Sequence, residues 1–194
     1  IHFNAYYSSP SYRTVTTGFG SRLSFHPGTG KLTIKTGASS TTAGSNYSGA
    51  EVFGISAAGH VTKPFQPSFR VGRSAGNVNA GTYVVHNVVK HNVGSHYSTS
   101  NGRFTAPVAG SYQFNVRLIN SSGGYNTDLA ALRINGSAAN AANMHDVASV
   151  SHAGNSLSTT FYLSAGDYVQ VYSQSHTVYG TAEQHCQFSG HLIG

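Results

Sequence analysis

One run of fifteen residues, Gly102 to Val116 (GRFTAPVAGSYQFNV), limits the choice of fold more than any other part of the chain. Phe104 and Thr105 open a short strand phrase, and Pro107-Val108-Ala109-Gly110 make a corner. Strict alternation follows. Tyr112, Phe114, Val116 and Leu118 fall on one face, and Ser111, Gln113, Asn115 and Arg117 on the other. That is the period of a half-buried antiparallel strand. Pro107 cannot donate to a ladder, so it separates two strands rather than continuing one.

The remainder agrees with an all-β chain. Gly (23), Tyr (12) and Phe (10) are abundant, and no stretch strings helix formers together at helical spacing. Only 8% of residues are charged, against roughly 25% in ordinary globular proteins. The surface is therefore built from Ser, Thr, Asn, Gln and Tyr. The formal charge is +6, but the Lys and Arg residues are scattered. Arg70 and Arg73 are their nearest approach to a cluster, which argues against a nucleic-acid partner. No apolar run reaches the length of a membrane-spanning helix, so no membrane insertion by helix is expected. Cys186 is the single cysteine, which excludes an intrachain disulfide and suits a small buried apolar residue.

Residues 1–64 read as a β-rich stem and residues 65–194 as a head. In the stem, Leu23-Ser24-Phe25 and Lys31 to Lys35 flank a Pro27-Gly28 turn as a hairpin. The stem has few large apolar side chains, too few for an independent core, so it is expected to pack against other copies, with Tyr6, Tyr7, Tyr12 and Phe19 at those contacts. In the head, strands are expected near 68–73, 83–89, 103–106, 110–119, 128–134, 157–163, 168–175 and 186–193. Ala138 to Met144 is read as a loop, because Asn140 and Asn143 weaken a helix. Tyr112, Phe114, Phe161, Tyr168 and Phe188 are expected to point inward.

Catalytic patterns are sparse. The acids are Glu51, Asp128, Asp146, Asp167 and Glu183, and a glycosidase needs two that face each other. Asp128, where an expected loop meets the strand expected over 128–134, and Asp146, in an expected loop, are the only plausible pair. The one Gly-x-Ser-x-Gly, Gly72 to Gly76, is not followed by the run of helix formers that a nucleophile elbow requires, and no nucleotide-binding glycine fingerprint occurs. The reading is therefore a non-enzymatic protein without catalytic residues, cofactor or metal. His86, His91 and His96 recur every five residues, which alternates faces in a strand and cannot aim all three at one ion. Copies of one histidine could still meet at a threefold axis. Tyr125, Tyr172 and Tyr179 are the candidate ligand contacts, because an aromatic ring can stack on the apolar face of a sugar.

Several phrases together resemble the globular head of complement C1q and its relatives, which share the tumour-necrosis-factor-like jelly roll. Asn92, Tyr97, Phe104, Gly110, Tyr112 and Phe114 fall at the spacings of that family's aromatic signature. Leu132 to Gly136 is similar to its L-x-x-N-G phrase, Leu163 to Val171 to its L-x-x-G-D-x-V-x-V phrase, and Phe188 to Ile193 to its closing strand. His86 and Val116 depart from the signature, each standing where the family has an aromatic. The stem, through Gly59-His60-Val61-Thr62-Lys63-Pro64, resembles segments that precede such heads in bacteriophage tail-fibre proteins.

The resemblance implies an all-β jelly-roll sandwich that forms a homotrimer. It implies a structural protein of a bacteriophage virion, in a tail fibre or capsid-surface appendage. The expected partners are other virion proteins and host surface polysaccharide. A secreted lectin-like recognition module of the same fold and a glycan depolymerase are the alternatives. Calcium, bound by many relatives, has no acid-rich loop here to hold it.

Overall fold

The computed structural model divides the chain into two units, Ile1–Phe65 and Gln66–Gly194. It describes residues 1–3, 5–8, 11–37, 41–121, 127–146, 150 and 152–194, with residues 2, 3, 5–8 and 146 described by their backbone alone. The side chains of Tyr6 and Tyr7 are therefore outside the description, as are the whole of Tyr125 and its loop.

The first unit contains β1 (His2–Phe3), β2 (Ala5–Ser8), β3 (Ser11–Thr14), β4 (Ser21–His26), β5 (Lys31–Gly37), β6 (Gly49–Ile55) and β7 (Val61–Thr62). A five-stranded antiparallel sheet runs β1-β4-β5-β6-β7, and β2 pairs with β3. The expected hairpin is β4–β5, with Leu23 opposite Ile34 and Phe25 opposite Leu32. Among the described residues no apolar side chain of this unit is buried. The residues fully withdrawn from water with a polar side chain are Thr14 and Thr33. Thr14 Oγ1 donates to the Thr42 carbonyl at 2.7 Å, and Thr33 Oγ1 lies 3.2 Å from His26 Nε2. Phe19, Phe25, Val61 and Phe65 stand exposed.

The second unit holds β8 (Ser68–Gly72), β9 (Thr82–Tyr83), β10 (Val88–Val93), β11 (Tyr97–Ser98), β12 (Arg103–Thr105), β13 (Gly110–Ile119), β14 (Thr127–Ile134), β15 (Ala141–Asp146), β16 (Gly154–Leu163), β17 (Tyr168–Ser173) and β18 (Gln187–Leu192). One sheet is ordered β10-β8-β18-β13-β16. The other is β11-β12-β17-β14-β15, with β9 also on β17. Neighbours far apart in sequence, such as β8 with β18 and β12 with β17, give the jelly-roll crossing of a two-sheet sandwich.

Between the sheets lies an aromatic cluster. Phe69 stacks on Phe104 at 4.8 Å and meets Phe188 edge-on at 4.8 Å. Phe114 sits 5.6 Å from Phe104 and 5.9 Å from Phe188. These separations suit offset and edge-to-face attraction. Gly190 makes the approach possible, because a Cβ there would come within 2.6 Å of Phe114 and 2.9 Å of Phe69. Tyr112, Phe114, Val116 and Leu118 are all buried, as the alternation of β13 requires.

Three expectations need correction. Tyr168 does not point inward: Val169 and Val171 fill the core from β17, so the period of two turns Tyr168 outward, where the Arg103 guanidinium lies 3.9 Å from its ring centre. The segment 138–144 is not all loop. Ala141 opens β15, with Met144 opposite Ala130 and buried. Pairing to β14 overrides the weak strand propensity of Ala and Asn. The strand expected over 83–89 is two strands, β9 and β10, broken where His86 turns into the core.

His86 explains one departure from the aromatic signature. Its ring lies fully buried, 5.8 Å from Phe188, with Nε2 3.6 Å from Cys186 Sγ. The imidazole fills the place of the aromatic. A polar lock surrounds it. The His86 N–H donates to Tyr97 Oη at 3.1 Å, and the Tyr97 hydroxyl donates back to the His86 carbonyl at 3.3 Å. Asn92 fixes the other end of Tyr97, accepting from its N–H at 3.0 Å and donating to its carbonyl at 2.8 Å. Burial and then the Arg73 guanidinium push the His86 pKa down to about 3, and burial pushes the Cys186 thiol up to about 12, so both are neutral near pH 7.

Phe114→Ala should cost on the order of 3–5 kcal/mol in denaturant melts. Gln113→Ala, on the outer face with bonds to Ser158 and Thr160, should cost less than a third of that. Equal losses would mean the two faces of β13 are exchanged.

His86 also gives a pH dependence. Unfolded, the imidazole takes a proton near its ordinary value of about 6.5, whereas folded it resists protonation down to about 3. The unfolded state therefore binds more protons in that window. His86 destabilises the fold progressively as pH falls from about 6.5, by about 2 kcal/mol at pH 5 relative to pH 7. His86→Phe should remove that part of the slope in melts at the two pH values. An unchanged slope would mean that another group carries it.

Candidate functional site

The outer face of the β11-β12-β17-β14-β15 sheet gathers an arginine, an aspartate, a histidine and two tyrosines. The period of two dictates which residues meet there. On β14, Leu132 and Ala130 face the core, so Arg133 and Ala131 face out. Tyr172 and Asn143 stand opposite Ala131 on the two neighbouring strands. A bulge between Asp128 and Ala130 shifts the register and sets Asp128 opposite His145.

The side chains form two connected sets. In the first, the Arg133 guanidinium lies 3.5 Å from the Tyr172 ring centre. Tyr83 meets Tyr172 edge-on at 5.1 Å, and Arg133 Nη2 donates to Gln174 Oε1 at 3.3 Å. In the second, Asp128 Oδ2 accepts from Asn143 Nδ2 at 2.9 Å, and Asp128 Oδ1 lies 3.1 Å from His145 Nδ1. Thr127, Asp128, Arg133, His145, Tyr172, Gln174 and Ser175 line one open groove of about 570 Å³.

Turns at the end of this sheet keep its strands in place. Asn135 and Gly136 both take left-handed backbone angles, φ 52° and 73°, which Asn and Gly tolerate best. Asn135 Nδ2 donates to Asp167 Oδ1 at 2.7 Å, and Asn135 Oδ1 accepts from the Tyr168 N–H at 3.0 Å. Asp167 Oδ2 accepts from the Ser164 N–H at 2.8 Å. These bonds, Asn135 first, hold the Asp167 carboxyl below its ordinary pKa. The N-G and G-D phrases of the sequence are thus two halves of one clamp that joins the ends of β14 and β17.

Of the candidate ligand contacts, Tyr172 and Tyr179 are described, and they do not share the groove. Tyr172 lines the groove, but from within strand β17 rather than from a loop, and Arg133 covers one face of its ring. Tyr179 lies outside that groove, between His152 at 5.0 Å and His185 at 5.5 Å. Tyr125 lies outside the described residues. The histidine series also disperses, with His86 in the core and His91 exposed on β10. Among the described residues no three His, Cys, Asp or Glu side chains gather as a metal group. Arg73 does not join Arg70 in a basic patch, since its guanidinium donates to the carbonyls of Ala75, Gly76 and Val85.

Of the acid pair, Asp128 sits in β14 and the Asp146 backbone in β15, opposite Thr127. Asp146 was expected in a loop and Asp128 at the edge of one; the β14–β15 ladder places both in strands. Arg133 and the Asp128–His145 pair were not singled out as site residues. The only sequence signal for Arg133 was its place in the outward register of Leu132-Arg133-Ile134.

A family model for the C1q domain matches residues 68–193. The chain belongs to the C1q domain family. Among solved structures, the globular domain of a zebrafish complement 1qA protein aligns at a TM-score of 0.53 with 18% identity, over 66% of this chain and 98% of that one. Murine APRIL aligns at a TM-score of 0.51 with 9% identity, over 66% of this chain and 99% of that one. At these identities the likeness concerns the fold. The aligned span covers two sheets whose strand order is that of a jelly roll, so the head is a C1q and tumour-necrosis-factor-like jelly-roll sandwich. A search of curated proteins finds no match.

Proposed function

We propose that this chain is a trimeric, non-enzymatic binding and structural module, carried on a bacteriophage particle as part of a tail fibre or capsid-surface appendage. The observation that carries the trimer is the first unit, which has a complete β-ladder and, among its described residues, no buried apolar side chain. Phe25 and Phe65 are 66% and 60% exposed there. Apolar area of this kind is stabilising only when removed from water, and further copies of the chain would remove it. The head supplies a second apolar patch. Tyr162 lies opposite Ser111, the Ile193 N–H donates to the Ser111 carbonyl, and both side chains are exposed. Family membership supports the same assembly.

The particle context rests on the sequence of the stem, whose Gly59 to Pro64 phrase resembles segments before phage fibre heads. The non-enzymatic reading rests on the acids. Each described carboxylate is engaged: Glu51 by Lys31, Asp128 by Asn143 and His145, Asp167 by Asn135, and Glu183 by Lys90. Partners would be other virion proteins and host surface polysaccharide, with three weak sites acting together on a repeated ligand.

Light scattering coupled to size exclusion should return three times the 20.3 kDa chain mass at micromolar concentration. Tyr162→Lys should shift the population toward smaller species. A monodisperse monomer would refute the assembly. The trimer should also adhere to host cells with and without a chelator. Adhesion lost on chelation would reveal a metal site, and adhesion to no host surface would confine the protein to an architectural role.

A further inference from the structure

The outer-sheet groove is built around a cation whose charge no described carboxylate answers. Arg133 is held flat by its contact with Tyr172, and Tyr172 is braced in turn by Tyr83. One Nη2–H goes to the neutral Gln174 amide. Among the described residues no carboxylate pairs with this guanidinium. The acid in the same groove, Asp128, is engaged by Asn143 and His145. A stacked guanidinium has lost much of its side-chain freedom and part of its water, so pairing with an anion costs little further ordering. Its planar N–H edge matches the two oxygens of a carboxylate better than a single point charge would.

The groove's other groups suit alcohols. Asp128 offers carboxylate lone pairs, Ser175 offers a hydroxyl, and Gln174 and His145 offer groups that donate and accept, while the Thr127 hydroxyl is engaged by His176. A rigid ring bearing several hydroxyls and one carboxylate would satisfy both sides. A doubly charged phosphate fits less well, since one cation faces it and the Asp128 carboxylate lines the same groove. An apolar peptide side chain finds no free apolar wall, because Arg133 covers the exposed face of Tyr172. The volume, about 570 Å³, lies within the roughly 300–1,000 Å³ of small-ligand clefts.

We propose that this groove binds a sugar acid, a uronate-type residue of an acidic polysaccharide, with its carboxylate on Arg133 and ring hydroxyls on Asp128 and its neighbours. The assignment rests on the reading of the head as a binding module and names its ligand class.

The test uses the full chain and three probes: a trigalacturonate, its methyl ester, and a sulfated galactose trimer. The ester removes the charge and keeps every hydroxyl. Calorimetric titration of the unaltered protein should show the acid binding roughly tenfold or more tighter than the ester and the sulfated trimer. Arg133→Gln should reduce acid binding to the level of the ester, and Arg133→Lys should recover only part of it. Equal binding of acid and ester, preference for the sulfated trimer, or no binding of the acid at millimolar concentration would each overturn the assignment. These outcomes are read on the unaltered protein, so a poorly folded variant does not obscure them. Host-cell adhesion separates this inference from the function it rests on. Arg133→Gln trimers that adhere as well as the parent, without uronate binding by either, would overturn the groove and leave attachment standing. Uronate binding that depends on Arg133, without adhesion to cells, would support the groove and remove the attachment role.

Discussion

Contact between Phe114 and the Gly190 backbone is what the head depends on. Within the β10-β8-β18-β13-β16 sheet, the rings of Phe114 and Phe69 have room to lean over the strand between them because the residue there brings no side chain. Gly190 supplies that gap on β18, directly opposite Phe114 on β13. Phe69, Phe104 and Phe188 then pack around the same point. Their rings come from β8, β12 and β18, three strands widely spaced along the chain, so this cluster joins the two sheets and closes the long crossovers. Local propensity alone could not hold β8 beside β18.

Most polar groups that enter the core are paired. The backbone of His86, the Tyr97 hydroxyl and the Asn92 amide satisfy one another beside the aromatic rings, as buried polar atoms must. The same principle acts at the sheet's end, where Asn135 and Asp167 tie β14 to β17. Arg133, Tyr172, Asp128 and His145 lie on the outer face of the second sheet, away from the aromatic cluster that joins the two sheets.

Much of the head was legible because strand β13 announces its period and because the N-G and G-D phrases mark turns by residue type. Its strand order was legible only through family resemblance, since the pairing of β8 with β18 leaves no local trace. Tyr168 and the segment 138–144 were misread for one reason. A strand's parity and its existence are set by what lies across the ladder, and neither the Val169–Val171 pair nor the β14 partner of β15 can be weighed from one segment. The site was less legible still. Tyrosines drew attention as stacking surfaces, yet the ring of Tyr172 is covered by an arginine from the neighbouring strand. Only the register of β14 against β17 brings them together.

Scarcity of charge gives the surface its meaning. In a protein with many surface charges an arginine without a carboxylate is unremarked, because mobile neighbours screen it. Here 8% of the residues are charged and five are acidic, and each described acid already has a partner. The cations therefore outnumber the available counter-charges within the chain itself. Lys31 and Lys90 answer carboxylates, and a cation standing singly in water attracts little at physiological salt. Arg22, Arg103 and Arg133 each stack on a tyrosine ring, which withdraws one face from solvent, where the effective dielectric falls and an arriving anion is attracted more strongly. Of these, Arg133 lines the outer-sheet groove, and that distinction of geometry was invisible in composition.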